Sequence, residues 1–252
     1  MTIDKPINLI IGKSDLIMCP PLLVEKSHLL SDIKNIRDTA SEPISLPKFI
    51  TKQIILNVIS ILEDGNFDKI TNSLLEYLIQ VEMTLDFLGI MDFSNLLLSL
   101  IADRISNENG FRVIKLTYRI PCFYNVTMKA VTIMMKEIQD YYNEIGFSEV
   151  IEDPFVHHYA IMTIVELKTL ILYCDKYYTV ARIVTFKNWI EKNPGYLGKV
   201  EILEIVDTIN KEGTYIPRCQ IKFMRKMKDF IIQKLVPEDI HLEQKPRTSS
   251  ED

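Results

Sequence analysis

Few residues in this chain have the type and spacing that chemistry requires. His157 and His158 are adjacent, and Tyr159 follows them. Consecutive side chains on a helix point to different faces, and no second pair stands at metal-ligand spacing, so the pattern does not predict a zinc site. We therefore expect no bound metal.

The sequence shows no cysteine or serine in a pattern that would place a general base beside it, as a catalytic nucleophile requires. Cys19 precedes two prolines, but no base can be placed near it, and a buried free thiol is the commoner role for such a residue. No serine lies in a Gly-x-Ser-x-Gly context. The four cysteines lie far apart and form no Cys-x-x-Cys pair: Cys19, Cys122, Cys174 and Cys219. We therefore expect a protein that is not an enzyme, holds no cofactor and keeps free thiols.

One late segment has a charge pattern that can bind anionic surfaces. It reads KFMRKMKDFIIQKLV and carries five basic residues: Lys222, Arg225, Lys226, Lys228 and Lys234. A basic amphipathic helix can lie on a membrane or on nucleic acid, but it is more often an outer helix with one solvated face. The net charge of −5 gives no overall attraction for nucleic acid. We therefore expect neither a nucleic acid nor a membrane as partner.

Composition and length indicate a globular protein with a substantial core. The chain has 252 residues, of which 47% are hydrophobic and 25% charged. It opens with no secretory signal, and no window approaches the ~20 apolar residues that span a bilayer. We therefore expect an intracellular location, in the cytoplasm or nucleus, or in a virion if the frequent Ile, Lys and Asn reflect the AT-rich genome of a large DNA virus.

The first part of the chain is predicted to form a small sheet followed by helices. The apolar run 7–11 and the alternation of Leu16 and Met18 predict two strands around a turn. LLVEKSHLLSDIKNI has helical spacing, and ISLP is extended. The next segment, KFITKQIILNVISILEDG, predicts a helix that Gly65 ends.

Two helices joined by a tight turn follow in the segment NSLLEYLIQVEMTLDFLGIMDFSNLLLSLIADRI. Ser73 and Glu76 have the spacing of a capping box, Gly89 ends the first helix, and Asp92 can cap the second. A link this short packs the two helices as a pair. The predicted buried stripes are Leu74, Leu75, Leu78, Val81, Leu85 and Leu88 in the first helix, and Phe93, Leu96, Leu97, Leu100 and Ile101 in the second.

The second half of the chain is predicted to be helical. Residues 111–125 alternate like a strand, yet a short helix fits them nearly as well. After them, apolar positions recur at helical spacing in five segments. Residues 237–252 are polar and carry no stripe, which predicts a disordered tail. The expected fold class is α+β, with a mixed first half and an all-helical second half.

The order of elements in the first half resembles the BTB/POZ fold, which the F-box-binding and elongin-type adaptors of cullin ubiquitin ligases share. CPPLLVEKSHLLSDI is similar to the family's "hxxxLxxxSxxLxxx" stretch at Leu23, Ser27 and Leu30. ISLPKFITKQIILNVISILEDG is similar to its strand and helix, and MTLDFLGIMDFSNLLLSLIADRI to its "AAxFLxIxxLxxxCxxFI" motif. The resemblance implies a BTB/POZ domain over residues 1–110.

Residues 111–236 resemble the helical BACK domain that often follows BTB. The match to "LxxLLxxDxLxVxxExxVFxAVxxWI" lies at five positions: Leu167, Asp175, Val180, Phe186 and Trp189. The chain departs from this pattern at Arg182, where the family favours Glu.

The resemblance implies a non-enzymatic adaptor that links a cullin-type ubiquitin ligase to a target. The partner-binding residues it implies are Asp86, Phe87, Met91, Phe93, Glu63 and Asp64. An alternative remains open, in which the fold serves a structural or scaffold protein that assembles without a cullin. The loop NIRDTASEP lacks a clear hydrophobic-x-Glu motif of cullin-binding BTB domains, and no substrate-reading domain is present. Only six residues precede the first predicted strand, so we expect the BTB-like half to be monomeric, with any oligomer formed through the helical half or a partner.

Overall fold

The chain folds into two compact units, residues 1–134 and 135–252. A computed structural model describes residues 7–12, 15–36, 42–65, 67–145, 153–212 and 218–235. The fold mixes a small three-stranded sheet with many helices, as the sequence predicts. The finer domain limits stay predictions, and the predicted disordered tail lies outside the described residues.

The first unit contains all the described strands. Its elements are β1 Asn8–Ile11, β2 Asp15–Met18, α1 Pro21–Lys26, α2 His28–Ile36, β3 Ile44–Ser45, α3 Lys52–Asp64, α4 Asp68–Thr71, α5 Leu75–Leu88, α6 Ser94–Asp103, α7 Gly110–Thr117, a 3-10 turn Pro121–Phe123, and the start of α8 Tyr124–Glu144.

The described elements of the second unit, after the end of α8, are all helical. They are α9 Val156–Ile161, α10 Ile164–Leu172, a 3-10 turn Lys176–Tyr178, α11 Thr179–Lys192, α12 Lys199–Glu212, α13 Arg218–Phe230, and a π-helical turn Ile231–Leu235.

The sheet has the order β2-β1-β3, and both predicted strands are confirmed. β1 pairs antiparallel with β2 and parallel with β3, with Leu9 opposite Ile17 and Ile44. Leu9 and Ile17 are buried, whereas Leu16 and Met18 are 57% and 68% exposed. The strand was predicted correctly, but the two alternating residues, Leu16 and Met18, lie on its exposed face, and Ile17 between them faces the core.

The predicted helix after the hairpin is two helices, divided at Ser27. This residue has extended dihedrals of φ −90° and ψ 114°. Its buried hydroxyl accepts a hydrogen bond from the Leu30 amide at 3.1 Å and donates one to the Leu88 carbonyl at 2.6 Å. The side chain therefore starts α2 and ties it to the end of α5.

Helix ends at glycine were predicted correctly, but two predicted starts were not. Gly65 and Gly89 have φ of +63° and +68° and end α3 and α5. The capping box at Ser73 is wrong, because α5 begins at Leu75 and has no side-chain cap, and Leu74 is 77% exposed. Glu76 instead pairs with Arg112 at 2.7 Å.

The predicted cap at Asp92 is also wrong. Phe93 occupies the cap position of α6, with no side-chain cap. Asp92 is instead paired with Lys26 at 2.7 Å, so a contact between distant segments replaces the local one. The stripe of α6 is partly confirmed: Leu97 and Ile101 are fully buried, and Leu96 is 58% exposed.

The ambiguous segment after residue 110 contains a helix, α7, rather than a strand. Val113 and Ile114 are buried, and Thr117 donates to the Val113 carbonyl at 2.7 Å. A Cβ on Gly110 would overlap the Met134 sulfur, so α7 packs closely on α8 within the first unit.

α11 forms the centre of the second unit. Eleven of its residues are buried, so solvent reaches little of its surface. The Trp189 indole N–H donates to the Met162 carbonyl at 2.9 Å. α10 begins at a full capping box that the sequence analysis missed, in which Thr163 and Glu166 bond each other's backbone amides.

Candidate functional site

The α5–α6 surface, which we define as Asp86, Phe87, Met91 and Phe93, lies where α5 turns into α6. The turn is closed by the Gly89 amide, which bonds the Asp86 carbonyl at 3.0 Å, and by the Ile90 amide, which bonds the Leu85 carbonyl at 2.9 Å. This is the Schellman arrangement that a left-handed glycine permits. Ile90 is fully buried.

The start of α2 holds this turn in place from the side. A Cβ on Gly89 would lie only 2.9 Å from the His28 Cβ, so the two backbones approach more closely than a side chain allows. The Ser27 bond to Leu88 and the Lys26–Asp92 pair lie on either side of that contact. The surface is therefore fixed on a rigid support, as binding sites require.

The four residues of the α5–α6 surface differ in their exposure. Met91 is 67% and Phe87 37% exposed, and Asp86 is exposed as well. Phe87 packs edge-on against Phe49 at a centroid distance of 6.4 Å. The ring of Phe93 is half-buried against Phe67, at 5.1 Å. Phe87 and Met91 thus present the accessible apolar area, and Phe93 contributes more to support.

Glu63 and Asp64 occupy the last turn of α3 and are both exposed. The last turn has no basic residue, so two acids lie at the negative end of the helix dipole, where they are unfavourable. Phe67 follows Gly65 by two positions, and its contact with Phe93 connects this end of α3 to the α5–α6 turn. The Phe67–Phe93 contact therefore brings the segment that follows Glu63 and Asp64 to the start of α6.

A buried carboxyl that the sequence analysis missed lies directly under this surface. Glu82 is on α5, one turn before Asp86, and is fully buried. The Ser94 hydroxyl donates to its Oε1, and no described residue bonds its Oε2. Burial raises the pKa of Glu82 to about 7, Asp86 adds to the rise, and the Ser94 hydrogen bond opposes it.

A cleft of about 950 Å³ opens beside β2 in the same unit. Its walls are mostly apolar and come from β2, α1, α2 and α3, with Met18, Val24, Leu56 and Ile59 among them. Glu63 lines the cleft too, so it belongs both to this cleft and to the predicted partner residues. Residue periodicity gave no sign of the cleft, because its walls come from distant segments.

Two thiols and one histidine among the residues considered for chemistry have shifted pKa values. Burial raises the pKa of the Cys19 thiol to about 11, and burial with nearby carboxylates raises that of Cys122 to about 12, so neither is a thiolate near neutral pH. Burial and His157 lower the pKa of His158. No three potential metal ligands cluster among the described residues.

Several polar side chains of the second unit are buried or half-buried and bond other segments of that unit. Arg182, the departure from the BACK pattern, is fully buried, and its Nε donates to the Ile171 carbonyl. Asp153 accepts hydrogen bonds from Tyr142, at 2.8 Å, and from Asn188. These contacts join α8, α11 and the segment before α9.

The basic segment packs against its own unit along part of its length. Lys187 of α11 lies 5.3 Å above the Phe230 ring, and Lys228 pairs with Asp207 at 3.7 Å. Met227 and Ile231 are buried, whereas Arg225 and Lys226 are exposed. These positions match an outer helix with one solvated face.

Comparisons with known proteins leave the family open. No protein-family model matches the chain, and no curated protein matches it significantly. Among the described helices, none has the length and apolar character to cross a membrane.

Proposed function

We propose that this protein is a non-enzymatic adaptor whose α5–α6 surface binds a protein partner, and that this partner is a cullin-type ubiquitin ligase component. The observation that carries the proposal is the pairing of exposed Phe87 and Met91 with acids on a turn held by α2. Catalysis then belongs to the partner complex. The choice of a cullin as the partner rests on the resemblance to BTB adaptors.

Two structural features support this proposal. The short turn between α5 and α6 packs the two helices against each other and brings Asp86, Phe87 and Met91 to one end of the pair. The surface also combines features typical of interface centres, because an aromatic and a methionine are exposed beside charged groups. The acids Asp86, Glu63 and Asp64 favour a partner with basic residues around an apolar contact.

The test compares both ends of α5 in a binding assay with a panel of cullins. Phe87→Ala and Met91→Ala should each weaken binding about thirtyfold, since losing a central anchor costs ~2 kcal/mol. Leu74→Ala is the matched control, because Leu74 is exposed at the other end of the helix, ~20 Å away at 1.5 Å per residue. It should bind as the wild type does.

Circular dichroism must show that each variant keeps its helices. A folded Phe87→Ala protein with unchanged affinity for a cullin would remove this surface from the proposed site. If the wild-type chain binds no cullin, the adaptor proposal fails in favour of the second candidate.

The second candidate is a scaffold that assembles through the sheet. The observation in its favour is that β2 lies at the described edge of the sheet and exposes Leu16 and Met18. Such an edge can pair with another strand. Met18→Lys should then reduce the mass measured by light scattering, while an unchanged oligomer would exclude assembly through β2.

A further inference from the structure

We propose that the protonation state of Glu82 controls how firmly the start of α6 is held against α5. We call this contact the Glu82 tie: with Glu82 protonated the first turn of α6 stays closed on α5 and the α5–α6 surface keeps its shape, and with Glu82 ionised that turn opens. This proposal rests on the proposed function, because that surface is the one expected to bind the partner. It adds a form of regulation that the adaptor role does not require.

The geometry of the tie is simple. Glu82 projects from α5, and its carboxyl accepts a hydrogen bond from Ser94, the first residue of α6. Ser94 directly follows Phe93 and is three positions after Met91. The bond therefore joins the middle of one helix to the segment that carries half of the surface.

The surroundings of Glu82 provide little support for a negative charge. Its Oε2 has no hydrogen-bond partner among the described residues, and Asp86 adds repulsion from one turn away. The thiol of Cys122, in the 3-10 turn, is a further titratable neighbour, and its raised pKa leaves it neutral. The beginning of α6 offers a partial positive charge, but a helix end is a weak compensation for full burial.

Among the described residues, no cation contributes to the pKa of this carboxyl. The charged residues of the helices packed against α5 are all exposed: His28, Asp32 and Lys34 on α2, Lys52, Glu63 and Asp64 on α3, Asp103 on α6, and Arg112 and Lys115 on α7. An ionised Glu82 is therefore stabilised mainly by reaching water, which requires the first turn of α6 to move away.

The direction of the pH effect follows from the raised pKa of Glu82. The closed state keeps the proton up to about pH 7, whereas a water-exposed glutamate loses it near 4.5. Closure is therefore favoured at low pH and weakens as the pH rises through this window. A pKa of about 7 in the closed state and 4.5 in the open state imply a population shift. The ratio of molecules with the first turn of α6 open to molecules with it closed rises about tenfold between pH 6 and pH 8.

The first measurement is an NMR titration of the full chain labelled at glutamate side-chain carboxyl carbons. One resonance should titrate with a midpoint near 7, and it should disappear in Glu82→Gln. If no glutamate titrates above about pH 5.5, the charge argument is wrong and the proposal is overturned. This titration needs no partner. Its main result comes from the wild-type chain, so it can be read even if the Glu82→Gln variant fails to fold.

The second measurement is native-state hydrogen exchange of the amides of residues 91–97, corrected for the intrinsic effect of pH. The wild type and the control Glu108→Gln, which changes an exposed carboxyl, should show the tenfold rise. Glu82→Gln should show none, because its amide stays neutral. An equal rise in Glu82→Gln, or a rise spread evenly over the first unit, contradicts the tie.

The third measurement connects the tie to the surface. Wild-type binding to whichever cullin is captured should be several-fold tighter at pH 6 than at pH 8, and Glu82→Gln should reduce this difference. A pH-independent affinity in both proteins overturns the regulatory link. Failure to bind any cullin refutes the proposed function instead, and the first two measurements still decide whether the tie exists.

Discussion

The close contact between Gly89 and α2 leads to the sharpest prediction about how the α5–α6 surface is held. Gly65 and Gly89 both end a helix with nearly the same positive φ. A Cβ on Gly65 meets nothing within 4 Å, whereas one on Gly89 lies 2.9 Å from the His28 Cβ. Replacing each with alanine therefore separates backbone strain from crowding.

The magnitudes can be worked out from these two environments. The left-handed conformation costs an alanine roughly 1–2 kcal/mol at either position. At Gly89 the alanine Cβ would lie closer to the His28 Cβ than the ~3.5 Å at which two carbon atoms attract each other. The packed helices must shift to remove this overlap, which costs a further ~1–3 kcal/mol. We expect Gly65→Ala to lower the free energy of unfolding by about 1 kcal/mol and Gly89→Ala by about 3 kcal/mol.

The assay is urea unfolding followed by far-ultraviolet circular dichroism, with the fluorescence of Trp189, the single tryptophan, as a second signal. Trp189 lies in the second unit, so its fluorescence reports the unfolding of that unit. An unfolding transition seen by circular dichroism but not by this fluorescence is therefore assigned to the first unit. A double-mutant cycle with His28→Gly, which removes the crowded Cβ, should recover part of the additional cost at Gly89.

The reasoning is refuted if the two alanine variants cost the same within about 0.5 kcal/mol, the usual limit of additivity. It is also refuted if His28→Gly gives no coupling with Gly89→Ala. Either result would mean that α2 does not press on the turn, and the rigid support of the surface would lose its main evidence.

Three further predictions concern the two units. Thr163→Ala should destabilise the second unit by ~1 kcal/mol through loss of the capping box, seen as a lower urea midpoint of Trp189 fluorescence. Thr208→Ala should cost less, because Thr208 lies within α12 of the same unit and its hydroxyl bonds only the Glu204 carbonyl of its own helix. Limited proteolysis should leave the turn 106–110 intact, because its backbone and Asn109 are hydrogen-bonded; early cleavage there would contradict the packing of α7. Residues 1–110, the BTB-like half, should be monomeric by light scattering at micromolar concentration, and a dimer of this fragment would contradict the sequence-based expectation.

Features set by neighbouring residues could be predicted from the sequence. The first strand follows from an apolar run and the second from alternation along the chain. The ends of α3 and α5 follow from glycines that adopt a left-handed conformation without strain. The buried stripe of α5 from Leu78 to Leu88 follows from helical periodicity. In each case the deciding interactions lie within a few residues, so the local pattern contains the information.

Features set by contacts between distant segments could not be predicted. Asp92 pairs with Lys26 instead of capping α6, Phe93 is half-buried against Phe67, and Ser27 divides a helix while bonding Leu88. The burial of Glu82 is the clearest case. A glutamate at a helical position is read from sequence as a solvated residue, and only the packing of α6, the 3-10 turn and the other neighbours of α5 removes it from water and raises its pKa. Sequence therefore determined most of the elements and the helix ends at glycine. Tertiary packing decided the starts of α5 and α6 and which polar groups lie in a low-dielectric interior, because desolvation depends on everything that surrounds a group.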